Sequence, residues 1–471
     1  MKTLLSSLLL LTLSACAQNP VTGNTDFVMM SENQELALGR QADAEVKKQY
    51  PVYANPVLQE YVNRVGQALA QHSHRAGLEY HFTVLDSPEV NAFALPGGYV
   101  YITRGILAYL NSEAELAAVL GHEIGHVTAR HGVRQQSAAQ AANIGLTIAS
   151  IFIPEINTNL GRNLSNLLGG ALLSGYGRDQ ELEADRLGAE YLARTDYDPQ
   201  AIVQVIGVLK NQELRDIELA QVEGRQPRRY HGVFASHPDN DTRLQQAVAE
   251  ARQKSVVQPM VAREKFLIAI NGLVFNDNVE QGVVRNNQFL QPEMGISIQL
   301  PTGWQVHNLP DSLMAIAPQG GAQMQMKLGK QNGSPASVAR TLSGGKGDVE
   351  EITLNGLPAA LLYQPTQAMA IIYHESQAYV IIGKGKTATS FEQYRQEMLA
   401  AIRSFRNLSA AERKQIKPLL LRVVTVGKGD TLAKLAQRSP LGTSAESYLR
   451  LINALYPTGE PHPGDQVKII E

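Results

Sequence analysis

The sequence predicts a multidomain chain: a large, mainly α-helical part, then a small α+β domain, then a short βααβ unit. Three observations carry this. Apolar residues recur at helical spacing through much of residues 31–252. Period-two alternation takes over at 295–300, 323–327 and 368–373. The C-terminal stretch then sets two short helical segments between strand-like segments at 422–426 and 467–470. A chain of 471 residues has room for two to four domains.

Each element has its own signal. Residues 35–49 and 58–72 carry helical apolar spacing, separated by the Tyr50-Pro51 and Asn55-Pro56 breaks. Residues 81–85 alternate and are rich in strand formers, and a second strand at 99–102 follows the Pro96-Gly97-Gly98 turn. Ser112 and Glu115 form a capping box that opens a helix to about residue 130. A further helix covers about 179–195. Residues 133–177 are rich in Ala, Gly and Ser, and their apolar run at 144–153 is too short and interrupted to span a bilayer. They read as a covering loop or helical lid. The domain boundaries follow: 31–252, then 286–407 closed by an amphipathic helix at 391–405, then 421–471. The middle domain has no chemical motif, and its Trp304 reads as core.

The N-terminus differs from the rest. Lys2, an apolar run over 4–13 and small residues before Cys16 read as a secretory signal over 1–15, with a polar tether over 16–30. Cys16 is the single cysteine, so no internal disulfide is possible. Leu13-Ser14-Ala15-Cys16 resembles a bacterial lipobox. That resemblance implies lipidation of Cys16 and attachment to a membrane without a spanning helix. Ala17, where Asp would signal retention, implies the outer membrane, on the periplasmic side of a bacterial cell envelope. A formal net charge of -2 gives no long-range reason to expect nucleic acid as a partner.

The chemistry concentrates in His122-Glu123-Ile124-Gly125-His126. Histidines four apart on a helix share one face, so both imidazoles reach one metal ion, and Glu123 lies beside them as a general base for water. A catalytic zinc takes three protein ligands and keeps one position open. Glu181 and Asp185, again four apart on a predicted helix, supply the rest. Glu181 reads as the third ligand, and Asp185 as acceptor for the free N–H of a zinc histidine. Glu183 is the rival ligand, but it points about 160° away from Glu181 on that helix. Two neutral imidazoles and one carboxylate leave Zn²⁺ a net charge of +1, which suits acidification of bound water. Gly121 and Gly125 each cost a helix about 1 kcal/mol relative to Ala. Close approach of the Glu181 helix would account for them.

These residues, together with Arg178-x-x-Glu181-x-x-Ala184-Asp185 and the run from Asn91 to Gly98, resemble the HtpX and CAAX-prenyl-protease type of zinc metallopeptidase, in its soluble periplasmic branch. The resemblance covers about residues 30–250. It implies a gluzincin-like zincin fold with a small edge sheet, with His122, His126 and Glu181 on zinc and Glu123 catalytic. It further implies an edge strand within 91–102, including Asn91, Ala92, Gly97 and Gly98, that pairs with an extended protein or peptide substrate. Ser236-His237-Pro238, with Arg243, also resembles a motif of this family. His237 is then a fourth ligand that blocks the resting site or a donor to the oxyanion; a plain loop cap is the open alternative. His131 and His231 read as surface or packing residues.

Residues 421–471 resemble a LysM domain through Gly429-Asp430-Thr431-Leu432, Leu451-Ile452-Asn453 and Pro463-Gly464-Asp465. That family binds the glycan of peptidoglycan. The segment departs from it at Ala433 and in a long connection at 440–446. Three function classes stay open on this reading: an endopeptidase for misfolded or misassembled envelope proteins, a peptidoglycan peptide hydrolase, and a non-catalytic chaperone or assembly factor.

Overall fold

The computed structural model describes residues 16–28, 30–141, 176–223, 256–309 and 311–471. The expected signal segment, most of the 133–177 lid, and His231, Ser236, His237 and Arg243 lie outside the described residues. The chain divides into two units. The first is Met1–Arg215, Arg229–Asn276 and Leu420–Glu471, and the second is Asp216–Arg228 and Asp277–Leu419.

Among the described residues the first unit opens on a hairpin, within the stretch 16–30 expected as a tether. Strand β1 (Cys16–Gln18) pairs antiparallel with β2 (Thr25–Phe27). The Asn19 side-chain oxygen shapes the turn by accepting from Val21 N and Thr22 N. Helix α1 (Glu32–Gln49) starts at a capping box of Ser31 and Gln34. Helix α2 (Pro56–Ala70) starts at Asn55, whose Oδ1 accepts from Leu58 N, with Pro56 in the first turn where its missing N–H is harmless.

Strands β3 (His81–Leu85), β4 (Ala92–Leu95) and β5 (Tyr99–Thr103) form one sheet in the order β3-β5-β4. Strand β3 runs parallel to β5, and β4 returns antiparallel to it. The turn between β4 and β5 needs glycine, because Gly97 and Gly98 have φ of +81° and +93°. Strand β4 is therefore an edge, paired only with β5 among the described residues.

Helix α3 (Arg104–Tyr109) leads into α4 (Glu113–Thr128). Ser112 caps α4 as the sequence predicts, its Oγ accepting from Glu115 N at 3.1 Å. The reciprocal arm of the box differs: the Glu115 carboxylate takes Asn111 N at 2.8 Å. All sixteen residues of α4 are buried, so it is the central helix and not a surface one. Helices α5 (His131–Ala141), α6 (Arg178–Arg194), α7 (Gln200–Glu223) and α8 (Arg263–Ile270) follow, and then the short strand β6 (Val274–Phe275).

The second unit is mostly sheet. Strands β7 (Val283–Arg285), β8 (Gln288–Gln291) and β9 (Ile296–Gln299) begin it, followed by β10 (Gln305–Leu309), β11 (Ser312–Ile316) and β12 (Ala322–Lys330). After helix α9 (Pro335–Leu342) come β13 (Asp348–Leu354), β14 (Leu357–Gln364), β15 (Gln367–His374) and β16 (Gln377–Gly385). Helix α10 (Ala388–Arg403), strand β17 (Arg406–Asn407) and helix α11 (Ala410–Gln415) end it. The large sheet has the order β10-β11-β12-β16-β15-β14-β13, and the small one β17-β9-β8-β7. Trp304 sits in the core with Ile298, Phe391 and Phe405, its Nε1 donating to Glu397 at 2.8 Å.

The C-terminal segment has the order β18 (Leu419–Thr425), α12 (Leu432–Ala436), α13 (Ala445–Ile452) and β19 (Gln466–Ile470). It does not stand apart. Strand β6 adds to its hairpin in the order β19-β18-β6, and residues 420–471 belong to the first unit. The Lys468 ammonium is fully buried and donates to Ala108 O at 2.8 Å and Leu110 O at 2.6 Å, just before α4 begins. Arg263 ties the same places together by donating to Asn111 O and Gln466 O, each at 3.0 Å.

Candidate metal centre

Two helices build the centre. Helix α4 supplies His122, Glu123 and His126; helix α6 supplies Glu181 and Asp185. Small residues let them meet. A Cβ on Gly125 would lie 3.0 Å from Ala184 O, and one on Gly188 would lie 3.1 Å from His122 N. Gly121 has more room, its nearest contacts being Gly188 atoms at 3.4 Å. The close approach expected for the α4 glycines holds most strictly at Gly125, and Gly188 is a partner that the sequence reading missed.

The ligand atoms converge in a buried place. Glu181 is fully buried, with one carboxylate oxygen 3.5 Å from His122 Nε2 and the other 3.5 Å from His126 Nε2. The two Nε2 atoms are 3.0 Å apart. Ligands at 2.0–2.2 Å in a tetrahedral shell lie about 3.3 Å from one another, so this set fits a zinc ion. The chemistry of the donors agrees: each Nδ1 is already engaged elsewhere, which leaves both Nε2 atoms for the metal. His122 Nδ1 lies 2.8 Å from Asp185 Oδ1, the contact the sequence predicts.

His126 has a different backing. Its Nδ1 lies 2.8 Å from His131 Nδ1, and His131 Nε2 lies 3.0 Å from Glu183 Oε2. His131 is thus no surface residue; its side chain is fully buried at the start of α5. Burial lowers its pKa, against the opposing pull of Glu183. Glu183 in turn is held below the ordinary carboxylate range, first by its hydrogen bond to His131. The Tyr176 ring also stacks on His126, with centroids 4.0 Å apart and planes 17° from parallel. Burial pushes its phenol well above 10, and the Glu123 and Glu181 carboxylates add to that. No local pattern marks Tyr176 in the sequence.

One side of the centre is apolar. Glu123 and His122 line a cavity with Ala92, Ile106, Val119, Ile202, Val205 and Leu209. Ala94, Leu95 and Pro96 line a second cavity beside His126. Strand β4 therefore runs past both histidines. Thr103 N donates to Asn91 O at 3.0 Å, which sets the phase of the β4–β5 ladder. Alternation then turns the backbone groups of Ala92 and Ala94 toward the open edge. Asn91 Oδ1 is buried without a hydrogen-bond partner among the described residues.

Comparison with known proteins agrees with this geometry. Residues 56–251 match the model of Peptidase family M48. A beta-barrel assembly-enhancing protease of Yersinia pestis is 29% identical over 445 residues, covering 85% of this chain and 88% of that protein. The protein of the same name from Escherichia coli (strain K12) is 30% identical over 259 residues, 53% of this chain. That match spans 50% of the Escherichia coli protein's length. The mitochondrial metalloendopeptidase OMA1 of Schizosaccharomyces pombe is 32% identical over 188 residues, covering 39% of this chain and 54% of that one.

Proposed function

Because the chain is a zinc metallopeptidase, with residues 56–251 matching peptidase family M48, we propose that it is an endopeptidase for unfolded or misassembled proteins of the bacterial cell envelope. The observation that carries this is the edge strand β4 lying along the metal centre with the backbone groups of Ala92 and Ala94 outward. An extended chain that adds to β4 is held by main-chain hydrogen bonds, which read backbone and not sequence. Such recognition suits unfolded substrates. The apolar cavity beside Glu123 then takes one apolar side chain next to the scissile bond. The name of the Yersinia pestis and Escherichia coli relatives points the same way for envelope proteins.

The mechanism assigns roles to this chain's own residues. Zinc, when bound by His122, His126 and Glu181, acidifies water and polarises a carbonyl. Glu123 takes the proton of the attacking water on its carboxylate and returns it to the leaving amide nitrogen. Asp185 holds the His122 ring with its Nδ1–H fixed. His237, outside the described residues, would donate to the oxyanion or add a ligand at rest, with a plain loop cap as the alternative.

The finer reading places the chain in the soluble periplasmic branch of the HtpX and CAAX-prenyl-protease type. Cys16 carries the lipid anchor, at the outer membrane. Residues 421–471 form a LysM-like unit that holds the enzyme to peptidoglycan.

The test is digestion of casein by the zinc-loaded chain from Ala17 onward, beside its Glu123→Gln form. Cleavage by the first and not the second supports the endopeptidase. Digestion of murein instead of casein would make the chain a peptidoglycan peptide hydrolase. Prevention of aggregation that survives Glu123→Gln, without cleavage, would make it a chaperone.

A further inference from the structure

Both zinc histidines are hydrogen-bonded behind the centre, but not in the same way. His122 meets a carboxylate directly, whereas His126 meets a second imidazole, His131, that meets the carboxylate of Glu183. The protons along that path are fixed by chemistry. Nε2 of His126 faces Glu181 and His122, so its lone pair belongs to the metal and its proton sits on Nδ1. His131 Nδ1 must then accept. Its own proton sits on Nε2 and is donated to Glu183 Oε2. Each donor along the path faces an acceptor. Arg134 Nη1 closes it at 3.4 Å from the same Glu183 oxygen.

The backbone supports a built feature. His131 returns to His126 through Arg130, a non-glycine residue at φ +55°. Such a conformation persists only where the surroundings enforce it. Here Glu35 Oε2 accepts from Arg130 Nε at 2.9 Å, and Met30 O accepts from Arg130 Nη2. A buried histidine that served only as packing would need neither this turn nor two aligned partners.

We propose that His131 and Glu183 are positioning residues for His126, a relay that fixes the ring and raises its basicity as Asp185 does for His122. The proposal rests on the zinc reading. It assigns Glu183, which lies on the far side of α6 from the ligand Glu181, to the same metal centre. It also explains why one helix carries three carboxylates within five residues.

The test is zinc affinity of the full chain, measured by competition with a chromogenic chelator, with thermal unfolding of each zinc-free form in parallel. Second-sphere partners of this kind are worth about 10- to 100-fold in metal affinity. His131→Leu and Glu183→Ala are each expected to weaken zinc binding within that range. Glu183→Gln, which keeps an acceptor, is expected to fall between Glu183→Ala and the parent. The double variant His131→Leu/Glu183→Ala is expected to bind no more weakly than His131→Leu, because the two residues act in series. Glu183→Ala that binds zinc within twofold of the parent would overturn the proposal, as would full additivity in the double variant. If His131→Leu does not fold, the Glu183 pair decides alone, since that side chain is partly exposed. A parent chain that binds no zinc would sink the metallopeptidase reading itself, a different result from an intact site indifferent to Glu183.

Discussion

Gly121 and Gly125 lie one turn apart on the central helix and face the same neighbour, yet alanine should act oppositely at the two. Each substitution gains about 1 kcal/mol of helix propensity. At Gly121 the new methyl meets Gly188 Cα and O at 3.4 Å, an ordinary contact, so Gly121→Ala should be neutral or stabilising by up to about 1 kcal/mol. At Gly125 it meets Ala184 O at 3.0 Å, Ala184 Cα at 3.1 Å and Leu187 Cβ at 3.3 Å. Two of these are backbone, so helix α6 must shift by a few tenths of an ångström. Overpacking of this kind costs about 1–3 kcal/mol. Because the propensity gain is common to both, the difference between the variants isolates the contact, and Gly125→Ala should be the less stable by about 1–3 kcal/mol. Its zinc affinity should fall as well, since Glu181 and Asp185 travel with α6, by tenfold for each 1.4 kcal/mol lost from the bound state. Urea unfolding of the zinc-free forms and chelator competition on the loaded ones read the two effects. Equal stability of the two variants, with zinc affinity unchanged in Gly125→Ala, would refute the close-approach argument.

Asp185→Ala should weaken zinc binding about 10- to 100-fold, with Asp185→Asn between it and the parent, because the asparagine oxygen still accepts from His122 Nδ1 without the charge. Glu113, the first residue of α4, gives a pH dependence. Burial raises its pKa, but hydrogen bonds from Tyr197, Tyr61 and Arg64 outweigh that and hold it below its usual value. Its contribution is therefore present above the unfolded carboxyl pKa of about 4.3 and is lost as pH falls through the lower folded value. Glu113→Gln should flatten the acid limb of a stability-versus-pH curve, and an unchanged limb would show that other carboxylates set it. Removal of residues 420–471 should lower the thermal stability of the peptidase part, since it leaves β6 unpaired and Ala108 O and Leu110 O without the Lys468 donor. An unchanged melting point would show that the segment is a detachable module.

What the sequence revealed was what local chemistry encodes. The Ser112 cap, the Asn55-Pro56 break and the turn at Gly97-Gly98 appear where residue preferences put them. The zinc set was legible because both halves obey helical spacing within four residues. What stayed hidden depends on contacts distant in sequence. His131 and Glu183 are 52 residues apart, and the turn that joins His131 to His126 runs through Arg130, a residue with no preference for positive φ. Nothing local marks Lys468 for burial, and its carbonyl partners lie 358 and 360 residues away. The sheet order was hidden too, because parallel pairing of β3 with β5 leaves no mark in the alternation of either strand.

Three of the carboxylates of α6, those at 181, 183 and 185, turn these separate contacts into one device. Residues four apart on a helix lie about 40° apart around its axis, so Glu181 and Asp185 both face α4. Glu181 reaches the Nε2 atoms of both histidines, and Asp185 reaches the Nδ1 of one. Glu183 lies about 160° round from Glu181 and does not reach the ligand histidines directly. The chain reaches it from the other side: α4 ends, Arg130 reverses the backbone, and His131 is set between His126 and Glu183. One helix thus backs two imidazoles that sit a full turn apart on its neighbour. That arrangement requires the two helix axes to lie closer than side chains larger than hydrogen would allow, which is the condition Gly125 and Gly188 meet. The glycines are therefore part of the metal centre, although no atom of theirs touches the metal.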